Sequence, residues 1–311
     1  MQKADILTIG TYPEWDIKGM EADYTLHTGV PGELSPAVAA KLRAVAFKGH
    51  SRFGAAEMDA LPNLGLIANF GVGYDAIDVA AASARGIKVT NTPDVLTDDV
   101  ADLALGMALG LFRQIPRADA WVRSGDWAAK GDFPLQRKFS GKRVGILGLG
   151  RIGRAIAERM TAFDMQISYW SRAPKDTPAG WTHVATPEAL AAEVDILVVA
   201  LSGGPETAGL ASAEVIAALG PKGVLVNISR GSTVDEAALL DALESGALGG
   251  AALDVFASEP DADPRFAALD NVLLQPHQAS ATVETRQEMG KLQRANLAAF
   301  FAGTSLLTPV N

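Results

Sequence analysis

The chain has 311 residues, a formal net charge of −9 and no cysteine. That length exceeds one ordinary core and predicts two domains, and the composition is globular rather than disordered. The lack of cysteine excludes disulfides, thiolate catalysis and Cys-based metal sites; the negative charge argues against a broad nucleic-acid or membrane surface, though not against a small basic pocket.

The opening Met1-Gln2-Lys3-Ala4-Asp5 runs into a strand-like stretch. It lacks the apolar segment and cleavage site of a signal peptide, so the expected location is the cytoplasm. Short β-rich runs then alternate with Ala-rich, helix-like stretches. That alternation predicts parallel sheets with crossover helices. Residues 6–9, 44–47, 66–68 and 87–90 read as strands of a first unit. Residues 97–123 read as one helix. Thr97 suits its N-cap, and Asp98 and Asp99 suit the positive end of its dipole. Residues 100–109 are apolar on most faces, so this helix must be covered on several sides. Its own sheet and a partner subunit would do so, as would a wholly internal position. The longest apolar run, 103–112, is too short to cross a bilayer. A second set of strands follows at 143–147, 166–170, 195–200, 224–227, 251–253 and 272–274. Residues 284–301 form one long amphipathic helix that would return the chain to the first unit.

The strand at 143–147 leads into Gly148-Leu149-Gly150-Arg151-Ile152-Gly153 and then a helix at 154–160. Such a glycine pattern is weak alone and strong between a strand and a helix, with a second strand ending at Trp170. Gly148 permits the turn, Gly150 lets a pyrophosphate approach the backbone, and Gly153 lets helix and strand pack. The helix start offers N–H groups and partial positive charge to phosphates. A dinucleotide is therefore the expected ligand of this loop, with Leu149, Arg151 and Ile152 completing it. After the second strand an NAD site would carry Asp or Glu for the ribose diol. Here stand Ser171 and Arg172, with Lys175 close by and no acid before Asp176. A guanidinium and an ammonium without a carboxylate favour a 2′-phosphate, so NADPH is expected to be preferred, with NADH in second place. The bland alternative is that Arg172 stacks on the adenine and either cofactor serves.

Three more segments end predicted strands, where open α/β sheets bind ligands. They carry Arg230, Glu259 and His277. Singly, each has an ordinary surface reading. Together they supply an anion clamp, a carboxylate and a histidine, a working set for keto-acid reduction. No metal site is expected.

With these stretches the chain resembles the D-isomer-specific 2-hydroxyacid dehydrogenase family. The resemblance runs through Phe70-Gly71-Val72-Gly73-Tyr74-Asp75, Asn91-Thr92-Pro93, Asp98-Asp99-Val100-Ala101-Asp102, the glycine loop, Asn227-Ile228-Ser229-Arg230-Gly231, Leu253-Asp254-Val255-Phe256 and Ser280-Ala281-Thr282. Within the family it is most similar to glyoxylate/hydroxypyruvate reductases and their 2-ketogluconate-reducing relatives. The resemblance implies an α/β fold of two Rossmann-like, doubly wound parallel-sheet domains. A flavodoxin-like substrate domain, 1–97 and 284–311, would receive an inserted NAD(P)-binding domain, 98–283, with the active site in the cleft.

By the same resemblance Arg230, Glu259 and His277 would be catalytic. Arg230 would clamp a 2-keto acid, His277 would act as general acid, and Glu259 would orient it. Val72 and Gly73 would bind the substrate carboxylate through backbone N–H groups. Asp254 would touch the nicotinamide amide, and Ile228 would also contact the cofactor. Gln278, where an aliphatic residue is usual, and Ala279 depart mildly from the pattern. Lys48 ends the strand at 44–47 and is expected near the substrate tail; the commoner fate of a lysine is a solvated surface. The expected partners are a small 2-keto or 2-hydroxy acid and a second copy of the chain, in a homodimer built on the helix at 97–123 and the loop after it. Two alternatives stand beside the reductase. One is formate or phosphite oxidation on the same fold. The other is a non-catalytic, dinucleotide-sensing regulator.

Overall fold

The computed structural model describes residues 3–311; Met1 and Gln2, on which part of the signal-peptide reading falls, lie outside them. The chain divides into two compact units, Met1–Leu96 with Ser280–Asn311, and Thr97–Ala279.

In the first unit β1 (Ala4–Ile9), β2 (Tyr24–Thr28), β3 (Ala44–Phe47), β4 (Leu66–Asn69) and β5 (Lys88–Thr90) form a sheet in the order β2-β1-β3-β4-β5. All its pairs are parallel. This is the flavodoxin-like doubly wound order. Every residue of β3 and β4 is buried, which is why both read as continuous apolar runs rather than alternating ones. β2 is an edge strand paired only with β1, and its mixed sequence, Tyr-Thr-Leu-His-Thr, carries too little apolar pattern to be read in advance.

The last helix, Val283–Ala302, packs on this same sheet. Buried Gln293 fixes it by donating Nε2–H to the Tyr12 hydroxyl at 2.9 Å and to the Ala68 carbonyl at 2.7 Å. Buried Asp16 receives the Arg294 guanidinium, the pairing that makes a carboxylate tolerable in that position. Gly290 lies against the Asp16 carboxylate with no room for a Cβ.

The second unit contains β6 (Arg143–Leu147), β7 (Gln166–Trp170), β8 (Thr182–His183), β9 (Ile196–Val199), β10 (Val224–Asn227), β11 (Gly250–Leu253) and β12 (Val272–Leu274). Their order is β12-β11-β10-β9-β6-β7-β8, again all parallel. The order reverses between β6 and β9, the switch point at which such sheets bind ligands beyond the strands' carboxyl ends. The two-residue β8 was not expected from sequence.

The single helix expected at 97–123 is two, Thr97–Phe112 and Ile115–Arg123. Gln114 breaks them with a left-handed φ of 51°. Pro116 then sits in the first turn of the second helix, where its missing N–H costs nothing. Thr97 is the first helical residue rather than the cap. The first helix packs on the helix Arg151–Thr161 and on β10, β11 and β12, so its own unit covers most of its apolar surface. The second buries no residue, and leaves Ile115 and Val122 exposed.

Candidate active site

The glycine turn is built as its sequence dictates. Gly148 has a φ of 102°, and a Cβ there would lie 2.7 Å from the Ala200 carbonyl oxygen. A Cβ at Gly153 would lie 2.2 Å from the Gly148 carbonyl oxygen, so the helix can approach the strand only without one. Gly150 is extended and caps the helix Arg151–Thr161, which starts three residues earlier than expected. A Cβ at Gly150 would meet no heavy atom within 4 Å and would project into the open face above the helix start. That face, with the helix N–H groups beneath it, fits a pyrophosphate. Leu149 is buried, Ile152 half-buried and Arg151 exposed.

Beside the turn, the loop after β7 is held by side chains from several elements. The Tyr169 hydroxyl accepts from the Lys175 N–H at 2.9 Å and donates to the Lys175 carbonyl at 3.2 Å. The Ser171 hydroxyl donates to the Ala173 carbonyl at 2.7 Å, and His183 Nε2 donates to the Ser171 carbonyl at 3.1 Å. Arg154 donates to the Asp176 carbonyl, and its guanidinium lies 5.9 Å from the centre of the Trp181 ring. Ser171 is buried and spends its proton on its own loop. Arg172 and Lys175 remain as the exposed cations of that loop. The carboxylate that the sequence lacks after β7 arrives from elsewhere: Glu206 sits 3.1 Å from the Arg172 guanidinium.

At the other end of the sheet β10, β11 and β12 run side by side, so the segments after them emerge together. Arg230 follows β10, and buried Asn227 braces its backbone. The Asn227 amide donates to the Arg230 carbonyl at 3.0 Å while its oxygen accepts from Ser229 N–H at 3.0 Å and Ser229 Oγ at 2.9 Å. Thr233 Oγ1 adds a donor to the same Arg230 carbonyl at 2.7 Å. The Arg230 Nη1 donates to the Ser229 carbonyl at 2.7 Å. Ile228 is buried next to this turn.

His277 and Glu259 meet. His277 Nδ1 lies 2.7 Å from Glu259 Oε2, and the other oxygen of Glu259 accepts the Phe256 N–H at 2.9 Å. This leaves Nε2 as the ring nitrogen directed away from the carboxylate. His277 has a φ of 50°, a left-handed conformation that a non-glycine residue adopts only where its surroundings impose it. The imposing group is Asp254. Its backbone carbonyl accepts the His277 N–H at 2.8 Å. Its carboxylate accepts the Gln278 N–H at 2.8 Å and the Ala279 N–H at 3.0 Å. Burial pushes the Asp254 carboxyl above the usual range, and those two N–H donors pull against it. The Asp254 carboxylate thus holds the histidine loop. Gln278, the departure from the family pattern, is exposed, and its amide turns back onto Gln275.

In the first unit the loop after β4 has its carbonyls occupied. Asn69 donates to Gly71 and Gly73 at 3.0 and 2.9 Å, and Asn91 donates to Val72 at 2.9 Å. Lys48 is half-buried rather than solvated. Its ammonium donates to the Thr11 carbonyl at 2.6 Å and lies 5.6 and 5.3 Å from the ring centres of Tyr12 and Phe70. Arg286 lies 5.8 Å from that same Phe70 ring. Burial, then the charge of Arg286, pulls the Lys48 pKa below its usual value.

The profile of the D-isomer specific 2-hydroxyacid dehydrogenase NAD-binding domain matches residues 105–279. The chain belongs to the D-isomer specific 2-hydroxyacid dehydrogenase family. This dehydrogenase is 52% identical over 272 residues to a hydroxyphenylpyruvate reductase from Plectranthus scutellarioides, covering 88% of this chain and 86% of that one. It is 44% identical over 309 residues to a 2-ketogluconate reductase from Gluconobacter oxydans (strain 621H), 99% of each chain. Its structure superposes with a TM-score of 0.95 and 42% identity on an NADPH-dependent glyoxylate/hydroxypyruvate reductase from Sinorhizobium meliloti, solved with NADP and malonate, covering 99% and 97% of the chains. The dehydrogenase has no helix, among the described residues, long and apolar enough to cross a membrane.

Sequence reading missed four braces: Asn227, Tyr169, Arg154 and the Asp254 carboxylate. It also missed Glu206. Asn227 stands at a strand end that the sequence had already marked, which is the one signal available for it. Tyr169 braces a loop only six residues on, but irregular loop contacts carry no fixed spacing; Arg154, Asp254 and Glu206 act across separations that no local pattern encodes.

Proposed function

We propose that the enzyme reduces small 2-keto acids to D-2-hydroxy acids, with NADPH preferred over NADH. The observation that carries this reading is the 2.7 Å His277–Glu259 pair at the carboxyl edge of the sheet whose β6 launches the glycine turn. The relatives act on glyoxylate, hydroxypyruvate, 2-ketogluconate and hydroxyphenylpyruvate, as their names state, and these acids share one keto-acid head.

Held by the glycine turn, the nicotinamide cofactor supplies the hydride. Arg230 grips the substrate carboxylate and carbonyl oxygen with its planar fork, a geometry lysine cannot reproduce. The N–H groups of Val72 and Gly73 are proposed to bind the carboxylate as well. His277, protonated, donates from Nε2 to the carbonyl oxygen as negative charge develops there; neutral, it takes the proton back in the oxidation direction. Glu259 accepts from Nδ1 and so fixes ring and tautomer. The chain's assignment to a cytoplasmic setting belongs to this proposal too.

The test is a rate panel. NADPH oxidation is measured with glyoxylate, hydroxypyruvate, 2-ketogluconate and hydroxyphenylpyruvate, against NADP+ reduction with formate and phosphite. Turnover confined to formate or phosphite would overturn the reading, and so would the absence of turnover with every substrate.

Lys48 is proposed to meet the substrate tail. Lys48→Ala is expected to raise KM for 2-ketogluconate and hydroxypyruvate more than for glyoxylate, which has no tail. An equal change across the panel, or none, removes Lys48 from the site.

A homodimer is also proposed. Its support is the concentration of exposed large apolar side chains in one stretch: Ile115, Val122, Trp127 (60% exposed) and Leu135 (fully exposed). Leu135 also lines an open groove of about 660 Å³ whose walls combine Leu109, Phe133, Phe139 and Phe163 with Arg113, Arg137 and Lys138. Isolated exposed apolar residues are ordinary, and it is their recurrence within one short stretch that supports an interaction face here. Light scattering at micromolar concentration is expected to give twice the chain mass; a monomer mass contradicts the proposal.

A further inference from the structure

The Arg172–Glu206 contact occupies an unusual place. β7 and β9 are the two strands that flank β6 in the sheet. Arg172 follows β7, and Glu206 lies on the loop that follows β9. Their 3.1 Å ion pair therefore reaches across the carboxyl end of β6, beside the point where Gly148 starts the phosphate-binding turn. A dinucleotide seated on that turn must lay its adenosine half along the same strip of surface.

Both ends of this bridge are anchored. The backbone around Arg172 is pinned at Ser171 by His183, at Ala173 by the Ser171 hydroxyl and at Lys175 by Tyr169. The loop of Glu206 is pinned by Thr207, whose Oγ1 donates to the Ser202 carbonyl at 2.6 Å, and by the Gly209 N–H, which donates to Ser232 at 2.8 Å. The facing of these two side chains is thus set by the fold rather than by chance encounter of long surface arms. Their heads, by contrast, are 86% and 81% exposed, so the pair opens at small cost.

We propose that Glu206 is a cofactor-discriminating residue, a latch that holds Arg172 across the adenosine groove and competes for it with the cofactor's 2′-phosphate. The proposal rests on the NADPH reading above. A phosphate must displace the carboxylate and sit beside it, which is repulsive. A ribose diol can instead donate to the carboxylate, so the same residue tolerates NADH. Glu206 thereby tempers the preference that Arg172 and Lys175 create. Both side chains stand in solvent, and replacing either leaves the core untouched.

The experiment is calorimetric titration of NADP+ and of NAD+ into the wild type, Glu206→Gln and Arg172→Ala at low ionic strength. Glu206→Gln is expected to bind NADP+ about two- to fivefold more tightly, the range set by an exposed ion pair, and NAD+ no more tightly. The gain should shrink as salt screens the exposed charges. Unchanged or weaker NADP+ binding by Glu206→Gln overturns the latch, and an equal gain for both cofactors overturns the discrimination. Arg172→Ala separates the two levels. If it binds NADP+ as the wild type does, Arg172 is not the phosphate partner, and the reading beneath the latch fails. If it loses NADP+ affinity while Glu206→Gln changes nothing, the latch alone fails.

Discussion

His277→Ala is expected to lower kcat for keto-acid reduction by about two to four orders of magnitude, the usual contribution of a positioned acid–base group. The physical ground is the arrangement of the ring. Glu259 holds Nδ1 at 2.7 Å, so a proton on Nε2 points at whatever occupies the other side. Backbone constraint adds to this. A φ of 50° at His277 is maintained by the N–H groups on either side of its loop bonding to Asp254, and a residue held so firmly loses little entropy on reaching the transition state. Alanine removes the donor and leaves the substrate oxygen to solvent. Single-turnover measurement is the proper readout, because product release limits kcat in many enzymes and can mask a change in chemistry. A single-turnover rate near that of the wild type in a folded variant would contradict the assignment.

Arg172→Ala is expected to raise KM for NADPH by about tenfold or more, since a charge-assisted contact contributes roughly 1.5–3 kcal/mol. KM for NADH should move much less. The competing effect is the existing pair with Glu206. An exposed ion pair contributes about 0.2–1 kcal/mol, so a phosphate wins the guanidinium from Glu206 by a clear margin. Lys175, whose backbone is held by Tyr169, places a second ammonium on the same loop. Wild-type kcat/KM values that are equal for the two cofactors, or higher for NADH, would remove the basis of the preference.

Much of this fold and site is legible in the sequence. The glycine turn was legible because backbone geometry itself demands glycine at Gly148 and Gly153, where a Cβ would strike carbonyl oxygens. Glu259 and His277 stood out because each lies in the segment that follows a strand of a parallel sheet, where such a sheet exposes function. What escaped reading has a common cause. Asp254 reaches Gln278 and Ala279 across more than twenty residues, and Glu206 reaches Arg172 across thirty-four. Neither contact leaves a local spacing to find. The break at Gln114 was signalled by Pro116, but the apolar run that ends at Phe112 drew the reading past it. The apolar character of residues 100–109 demands cover on several sides, and by sequence a partner subunit and a wholly internal position supply it equally well. That demand is answered largely by β10 to β12 and the helix Arg151–Thr161, and the exposed large apolar side chains Ile115, Val122, Trp127 and Leu135 lie further along the chain. β2 was unreadable for the opposite reason. An edge strand takes its stability from the neighbour it pairs with, and its own residues need not be apolar.

The central claim is hydride reduction of a 2-keto acid with one stereochemical outcome. Its most direct test is the wild-type enzyme incubated with NADPH and hydroxypyruvate, with the product resolved by chiral chromatography. The account predicts D-glycerate in an amount equal to the NADPH oxidised. L-glycerate, a racemic product, or NADPH left unconsumed would contradict it.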